Sequence, residues 1–188
     1  MTLLIRQIQT CFFTAVVLML SSALADDAPR GPIVDSPVLT LELIPRTPEQ
    51  MMAFYEARGF PLFAIKRIAK TCYFTAVITN KSNDILWLEP NNWRFRDDKG
   101  KQLMRLDQVY WQKEWERLNL PMANRATFRW TLLPDVRDLQ PGERAGGNVV
   151  IEPTDVTLTL EARFFTGPKK GRGGEVSARF EGLRCASK

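Results

Sequence analysis

Hydrophobic and polar residues alternate along several short segments of the chain, and segment 71–80 shows this most clearly. Its apolar face repeats at a period of two: Cys72, Phe74, Ala76 and Ile78. β-Branched and aromatic residues fill the segment, and residues 80–84 have the composition of a turn. The pattern predicts a core strand, and segment 85–89 is a candidate hairpin partner across that turn.

Further segments with β-strand composition follow one another between turn signals. We predict them at 38–44, 93–96, 101–106, 127–133, 148–152, 156–166 and 175–185. Within 127–133, Phe128, Trp130 and Leu132 are expected to point into the core. Short strands separated by turns are typical of an antiparallel β-sandwich, and not of a parallel α/β sheet.

Two helical segments interrupt this β pattern. Thr47 suits an N-cap, Pro48 the first helical position and Gln50 a capping box, so we predict helices near 48–69. Asp107 can cap a second helical segment near 108–118, where the apolar residues follow helical spacing: Trp111, Trp115 and Leu118. We predict a flexible lead-in over 26–37 and one domain over 38–188.

The first 25 residues have the three parts of a secretory signal peptide. Arg6 supplies a positive start, an apolar stretch follows at 11–20, and Ala23-Leu24-Ala25 fits a cleavage site. The apolar stretch is shorter than the ~20 residues that a membrane span needs. We therefore expect a periplasmic or secreted protein with no transmembrane span after cleavage.

The predicted export affects which of the three cysteines remain and whether they can form a disulfide. Cys11 would leave with the signal peptide, and Cys72 and Cys185 would remain as an even pair in an oxidising compartment. Their spacing resembles no C-x-x-C motif, so we favour a structural disulfide over a redox or metal-binding pair.

The turns from the core strand onward resemble those of a known group of domains. The runs are Thr-Asn-Lys-Ser-Asn after the strand, Trp-Arg-Phe-Arg-Asp-Asp-Lys-Gly, and Leu-Gln-Pro-Gly-Glu before a glycine-rich strand. Over residues 65–165 the chain resembles the secreted, telokin-like immunoglobulin-type domains of bacterial exported proteins. The resemblance implies an immunoglobulin-like antiparallel β-sandwich, to which this chain adds an N-terminal helical segment and a helical insertion. It implies no functional residues.

Composition excludes several kinds of chemistry. The chain has no histidine, which removes Ser-His-Asp triads, Cys-His dyads and most transition-metal sites. We therefore expect no metal and no cofactor. The net charge of +5 is spread among interleaved acids and bases, which does not indicate a nucleic-acid partner. One catalytic alternative stays open, a carboxylate-based hydrolase that uses Glu89 with Asp97 or Asp98.

Two regions are candidates for binding. In the helical insertion, a partly exposed tryptophan pair beside basic residues would suit a carbohydrate or a protein hot spot: Trp111 and Trp115 with Arg105 and Arg117. A basic hairpin loop could hold an anionic partner through Lys169, Lys170 and Arg172. The alternatives are core packing for the tryptophans and a solvated loop tip for the basic run.

From these features we expect a non-enzymatic binding or assembly module of the cell envelope, acting through the helical insertion. Its partner would be a protein or an anionic envelope component. Besides the hydrolase, the remaining alternative is a purely structural envelope protein.

Overall fold

The computed structural model describes residues 31–169 and 173–187, so the predicted signal peptide lies outside the described residues. Along the chain, the helices and strands are β1 Ile33–Asp35, β2 Leu39–Arg46, α1 Pro48–Glu56, α2 Leu62–Ile68, β3 Cys72–Asn80, β4 Leu86–Leu88, β5 Arg94–Asp97, β6 Gln102–Leu103, α3 Gln108–Arg117, α4 Met122–Thr131, β7 Arg137–Leu139, β8 Arg144–Ile151, β9 Leu158–Thr166 and β10 Glu175–Leu183.

The predicted core strand, β3, lies inside a four-stranded antiparallel sheet with the order β1-β2-β3-β8. Leu41 of β2 pairs with Ile78, and Val149 of β8 pairs with Phe74. These partners continue the apolar face of β3 across the sheet. This sheet is therefore organised around the strand whose period-two pattern is clearest in the sequence.

A second antiparallel sheet has six strands around β9. One edge of β9 pairs with β10, and the other pairs with β5 and then with β4. β6 extends the sheet from β5, and β7 extends it from β4. The inner faces of the two sheets bury one continuous core, which includes Phe74, Phe95, Leu160 and Phe164. The predicted antiparallel β-sandwich is confirmed.

A disulfide joins the two sheets. Cys72 opens β3, Cys185 follows β10, and their Cα atoms are 5.3 Å apart, a separation within the usual range for a disulfide. The bond links residues 113 positions apart. The predicted Cys72–Cys185 disulfide is confirmed.

Four helices form a layer on the outer face of the four-stranded sheet. Their apolar side chains pack on Tyr73 of β3 and Val150 of β8, which are register partners, and this second core is separate from the sandwich core. The layer covers only one end of the sheet, because Thr75, Val77 and Thr79 farther along β3 are half-exposed. α1 begins as its sequence predicts, with the Thr47 cap and the reciprocal Gln50 bond both formed.

Three local predictions are wrong. Segment 127–133 belongs to helix α4 and the turn after it, not to a strand. β4 does not pair with β3, and instead it crosses to the six-stranded sheet. Part of the expected flexible lead-in forms the edge strand β1.

Asn80 explains why the turn after β3 is a corner between sheets and not a hairpin. This fully buried side chain donates from Nδ2 to the carbonyl oxygens of Asp84 and Leu139, at 2.7 and 2.9 Å. Its Oδ1 accepts from the backbone and hydroxyl of Ser82. Because Leu139 belongs to β7, Asn80 fastens the end of β3 to the opposite sheet.

Candidate functional site

Helices α3 and α4 form a helical hairpin in the helical layer. The Asp107 side chain accepts from the Tyr110 backbone N–H at 2.8 Å and starts α3. After Leu118 the chain turns at Asn119, which has a positive φ of 51°, and α4 begins after Pro121. The short connection holds the two helices side by side.

The tryptophan pair of α3 is part of the core of the helical layer. Trp111 and Trp115 stack with ring centroids 4.8 Å apart, and both contact Phe128 of α4 at 4.8 and 5.0 Å. Each tryptophan is only 1% exposed. The expectation of a partly exposed tryptophan pair is therefore wrong, and neither ring offers a free face for a sugar.

The same aromatic residues form the floor of a groove between α3 and α4, which we call the α3–α4 groove. Its volume is about 420 Å³, and Val109 and Met122 line its opposite walls. Val109 is 56% exposed and Met122 is 75% exposed. The groove is therefore a concave surface over buried aromatic rings, and its walls carry exposed apolar side chains beside polar and charged ones.

Helix α4 carries the most exposed large hydrophobic side chain of the described residues, Trp130, at 82%. Met122, Ala126 and Trp130 are four residues apart and all exposed, so they form one apolar stripe along α4. We call these three residues the α4 stripe. Ala126 also lines the α3–α4 groove, so stripe and groove are continuous.

The α4 stripe is hard to predict from the sequence because two periodicities fit this segment. Phe128, Trp130 and Leu132 fit a strand, whereas Met122, Ala126 and Trp130 fit a helix. The helix-favouring residues before Phe128, among them Met122, Ala123 and Ala126, were the signal that could have decided between them.

Most of the charged residues around the α3–α4 groove are paired within the protein. Arg105 donates to Asp135 at 2.7 Å and also to Asn91. Arg125 lies 3.9 Å from Glu116. Within residues 31–169 and 173–187, Arg129 has no ion-pair partner, although it also lines the groove. The groove therefore carries one uncompensated positive charge beside its apolar walls.

Arg117, another predicted binding residue, pairs with an acid of its own helix. It donates to Glu114 at 3.0 Å, and Arg67 of α2 donates to the same carboxylate at 2.5 Å. The guanidinium groups of Arg117 and Arg67 together hold the pKa of Glu114 below its ordinary value. This carboxylate thus joins α3 to α2 beneath the hairpin.

The basic loop predicted as a second binding region is not continuous with the helices. Lys169 is exposed in the connection between β9 and β10, and Lys170 and Arg172 lie outside the described residues. This connection belongs to the six-stranded sheet, whereas the helices cover the outer face of the four-stranded sheet. Lys169 thus lies in a different sheet from the one that carries the helices, and Lys170 and Arg172 stay a prediction.

The carboxylates of the hydrolase alternative are far apart. Leu88, the neighbour of Glu89, pairs with Phe164 of β9, whereas Asp97 pairs with Leu158. Six residues of a strand span about 20 Å, and paired catalytic carboxylates lie about 5–9.5 Å apart. Asp97 also accepts from the backbone N–H groups of Lys99 and Lys101 within a turn. These acids are not placed as a general acid–base pair.

No family model matches the chain, and the search of curated proteins found no significant match. Among solved structures, a candidate lipoprotein (ycdA) of Bacillus subtilis is similar with a TM-score of 0.43 and 7% identity, covering 81% of this chain. This chain spans only 39% of that protein. The yjhA protein of Bacillus subtilis is similar with a TM-score of 0.46 and 9% identity, over 80% of this chain and 97% of that one.

The described residues contain no helix that is both long and apolar enough to cross a bilayer.

Proposed function

We propose that this protein is an exported, non-enzymatic binding module of the cell envelope. Its α3–α4 groove and α4 stripe would hold a short amphipathic segment of a partner protein. The observation that carries this proposal is the continuous apolar surface of the groove and the stripe, on which Val109, Met122 and Trp130 are each more than half exposed. Contiguous exposed apolar surface is typical of interaction sites.

The shape and charge of the groove favour a particular partner chemistry. The exposed apolar side chains of Val109 and Met122, on the two helices that border the groove, suit the hydrophobic face of an incoming segment. Arg129 favours an acidic residue beside that hydrophobic face, because a carboxylate would give it the ion pair that it lacks within the described chain. We therefore expect an acidic amphipathic segment, with Trp130 as an exposed aromatic anchor at its margin.

Two features support the export part of the proposal. The N-terminal sequence has the pattern of a signal peptide, and Cys72 and Cys185 are bonded to each other. Structural disulfides are typical of oxidising compartments outside the cytosol. The wide separation of Glu89 and Asp97 favours binding over carboxylate-based hydrolysis.

Site-specific photocross-linking from the envelope would test this proposal. A cross-linking residue replaces Met122 or Ala126, and the control replaces Leu62, which is 60% exposed on helix α2 and does not line the α3–α4 groove. We expect one envelope protein to cross-link from positions 122 and 126 but not from 62.

A synthetic peptide from the cross-linked region should be acidic and amphipathic. It should bind the wild-type protein, and Met122→Glu and Arg129→Glu should each weaken binding by about tenfold or more. Cross-links only to a second copy of this chain, or equal cross-linking from position 62, would contradict the proposal.

A further inference from the structure

A second pocket lies where the helical layer ends on the outer face of the four-stranded sheet. Its volume is about 450 Å³, and it is lined by Arg46, Gln50, Met51, Phe54, Thr75, Thr131 and Asn148. We call it the Arg46 pocket. It shares no lining residue with the α3–α4 groove, so it is a separate site.

The hydrogen bonds inside this pocket form a chain in which Arg46 donates to Thr75 and Thr75 donates to Asn148. Arg46 donates from Nε to the Thr75 hydroxyl at 2.9 Å, and Thr75 donates its only hydroxyl proton to Asn148 Oδ1 at 3.0 Å. Asn148 is only 8% exposed. Its Nδ2 group carries two amide hydrogens and lies beside the Tyr55 hydroxyl. The Thr75 hydroxyl proton is thus committed, the side-chain oxygens of Thr75 and Asn148 each accept one hydrogen bond, and the Asn148 amide remains as a donor.

The polar side chains of Thr131 and Gln50, which also line the pocket, have their hydrogen bonds arranged in a similar way. Thr131 donates to the Phe128 carbonyl oxygen at 2.7 Å, so in its 2.7 Å contact with Tyr55 the tyrosine hydroxyl is the donor. Burial raises the pKa of Tyr55 to about 12, which keeps this hydroxyl protonated. Gln50 accepts from the Thr47 backbone N–H with Oε1, which leaves its Nε2 as a donor.

The net result is a pocket that offers N–H donors and one positive charge. Within the described parts of the chain, no carboxylate lines the pocket and Arg46 forms no ion pair. A guanidinium with free Nη groups can bind a carboxylate through two parallel hydrogen bonds. Phe54 and Met51 supply an apolar wall beside it, which suits an organic body more than a bare inorganic anion.

We infer that the Arg46 pocket binds a small organic carboxylate, with Arg46 and the amides of Asn148 and Gln50 holding the carboxylate and Phe54 and Met51 contacting its apolar body. The ligand enters as an anion and leaves unchanged, and no covalent step is involved.

The test uses pairs of compounds that differ only in charge. Phenylacetate and hexanoate are titrated into the isotope-labelled protein beside their uncharged amides, and the backbone resonances of residues 46, 75 and 148 are followed by NMR. We expect the carboxylates to bind about tenfold or more tightly than the amides. Equal binding within each pair, or no shift at these residues with either carboxylate, would overturn the inference.

Three variants locate the effect. Arg46→Gln should abolish the preference for the carboxylate. Gln50→Glu places a negative charge at the pocket while keeping a residue suited to the α1 capping box, so it should abolish the preference in a stable helix. Arg144→Gln is the matched control, since it removes an exposed arginine from the same sheet face outside the pocket and should change nothing.

A titration with inorganic phosphate completes the experiment. If phosphate binds as tightly as phenylacetate, the pocket is a general anion site, and the organic carboxylate is the wrong class of ligand. If phosphate binds at least about tenfold more weakly, the apolar wall contributes as inferred.

Discussion

At the scale of single residues, two adjacent glycines of β8 face opposite environments. A Cβ atom on Gly147 would lie 2.6 Å from the Leu133 backbone nitrogen, where the chain leaving α4 crosses β8. A Cβ atom on Gly146 would have only ordinary contacts, the nearest at 3.5 Å. The close approach at Gly147 is what allows the helical hairpin to join the edge of β8.

We therefore predict that Gly147→Ala lowers the free energy of unfolding by about 1–3 kcal/mol, because the backbone of Leu133 would have to move. Gly146→Ala should change it by less than about 1 kcal/mol, in either direction. Urea unfolding of both variants beside the wild type measures this. Equal losses in the two variants would show that the crossing at Leu133 is not the cause.

The Glu114 carboxylate predicts a pH-dependent contribution to stability. Since its pKa is lowered in the folded protein by Arg117 and Arg67, its stabilising effect is present above the pKa of the unfolded chain. The effect is lost as the pH falls through the lower pKa of the folded state.

Glu114→Gln should thus lower the free energy of unfolding by about 1–2 kcal/mol at neutral pH. The difference from the wild type should shrink as the pH is lowered below the folded-state pKa, because both side chains are then neutral. Unfolding curves across acidic pH would measure this. Glu181→Gln is the control, since the Glu181 ion pair with Arg179 is mostly exposed and should contribute little.

At the scale of elements, Trp115 and Trp130 of the helical layer should contribute very differently to the free energy of unfolding. Trp115→Ala should lower the free energy of unfolding by about 3–5 kcal/mol, because it removes a core side chain that stacks on Trp111 and contacts Phe128 edge-on. Trp130→Ala should change it by less than about 0.5 kcal/mol, because the ring is 82% exposed.

Thermal or urea unfolding of the two variants compares them directly. Trp130→Ala should also weaken binding of the cross-linked partner peptide while leaving the fold intact. A large loss of stability in Trp130→Ala would mean that its ring is packed against the protein and is not available for binding.

The elements that the sequence predicts well are those with strong local signals. The period-two face of β3 identifies a core strand. Thr47 and Gln50 mark the start of α1 because each side chain accepts from a backbone N–H of the helix end, and Pro48 has no N–H to leave unpaired there. Short amphipathic segments such as 127–133 fit two periods at once. There the contact of Phe128 with the α3 tryptophans, which is a tertiary interaction, decides in favour of the helix.

Strand pairing was less predictable than the strands themselves. The turn composition of residues 80–84 is correct, but composition cannot specify whether the following strand returns beside β3 or crosses to the other sheet. Asn80 decides this through its bond to Leu139, a residue 59 positions away. The Arg46 pocket depends on the same kind of distant contact, since Thr75 and Asn148 meet only because β3 and β8 pair.

At the scale of the whole molecule, the disulfide is the one covalent cross-link between the two sheets in the described chain, besides the backbone connections. Closing a loop of this length reduces the entropy of the unfolded chain and should contribute about 4–5 kcal/mol. We predict that the double variant Cys72→Ala, Cys185→Ala loses about that amount in urea unfolding. The wild type measured in a reducing agent should show a similar loss, and an unchanged midpoint in both would contradict this account.

The position of Cys185 after β10 has a further consequence for the order of events during biosynthesis. In the export that we propose, Cys72 would emerge before Cys185, because the strands of both sheets lie between them in the sequence. The disulfide could therefore form only after every strand between β3 and the end of β10 had crossed. A chain delayed in export would expose Cys72 as an unpaired thiol throughout that interval. Thiol–disulfide exchange with another protein would then form a wrong disulfide at Cys72.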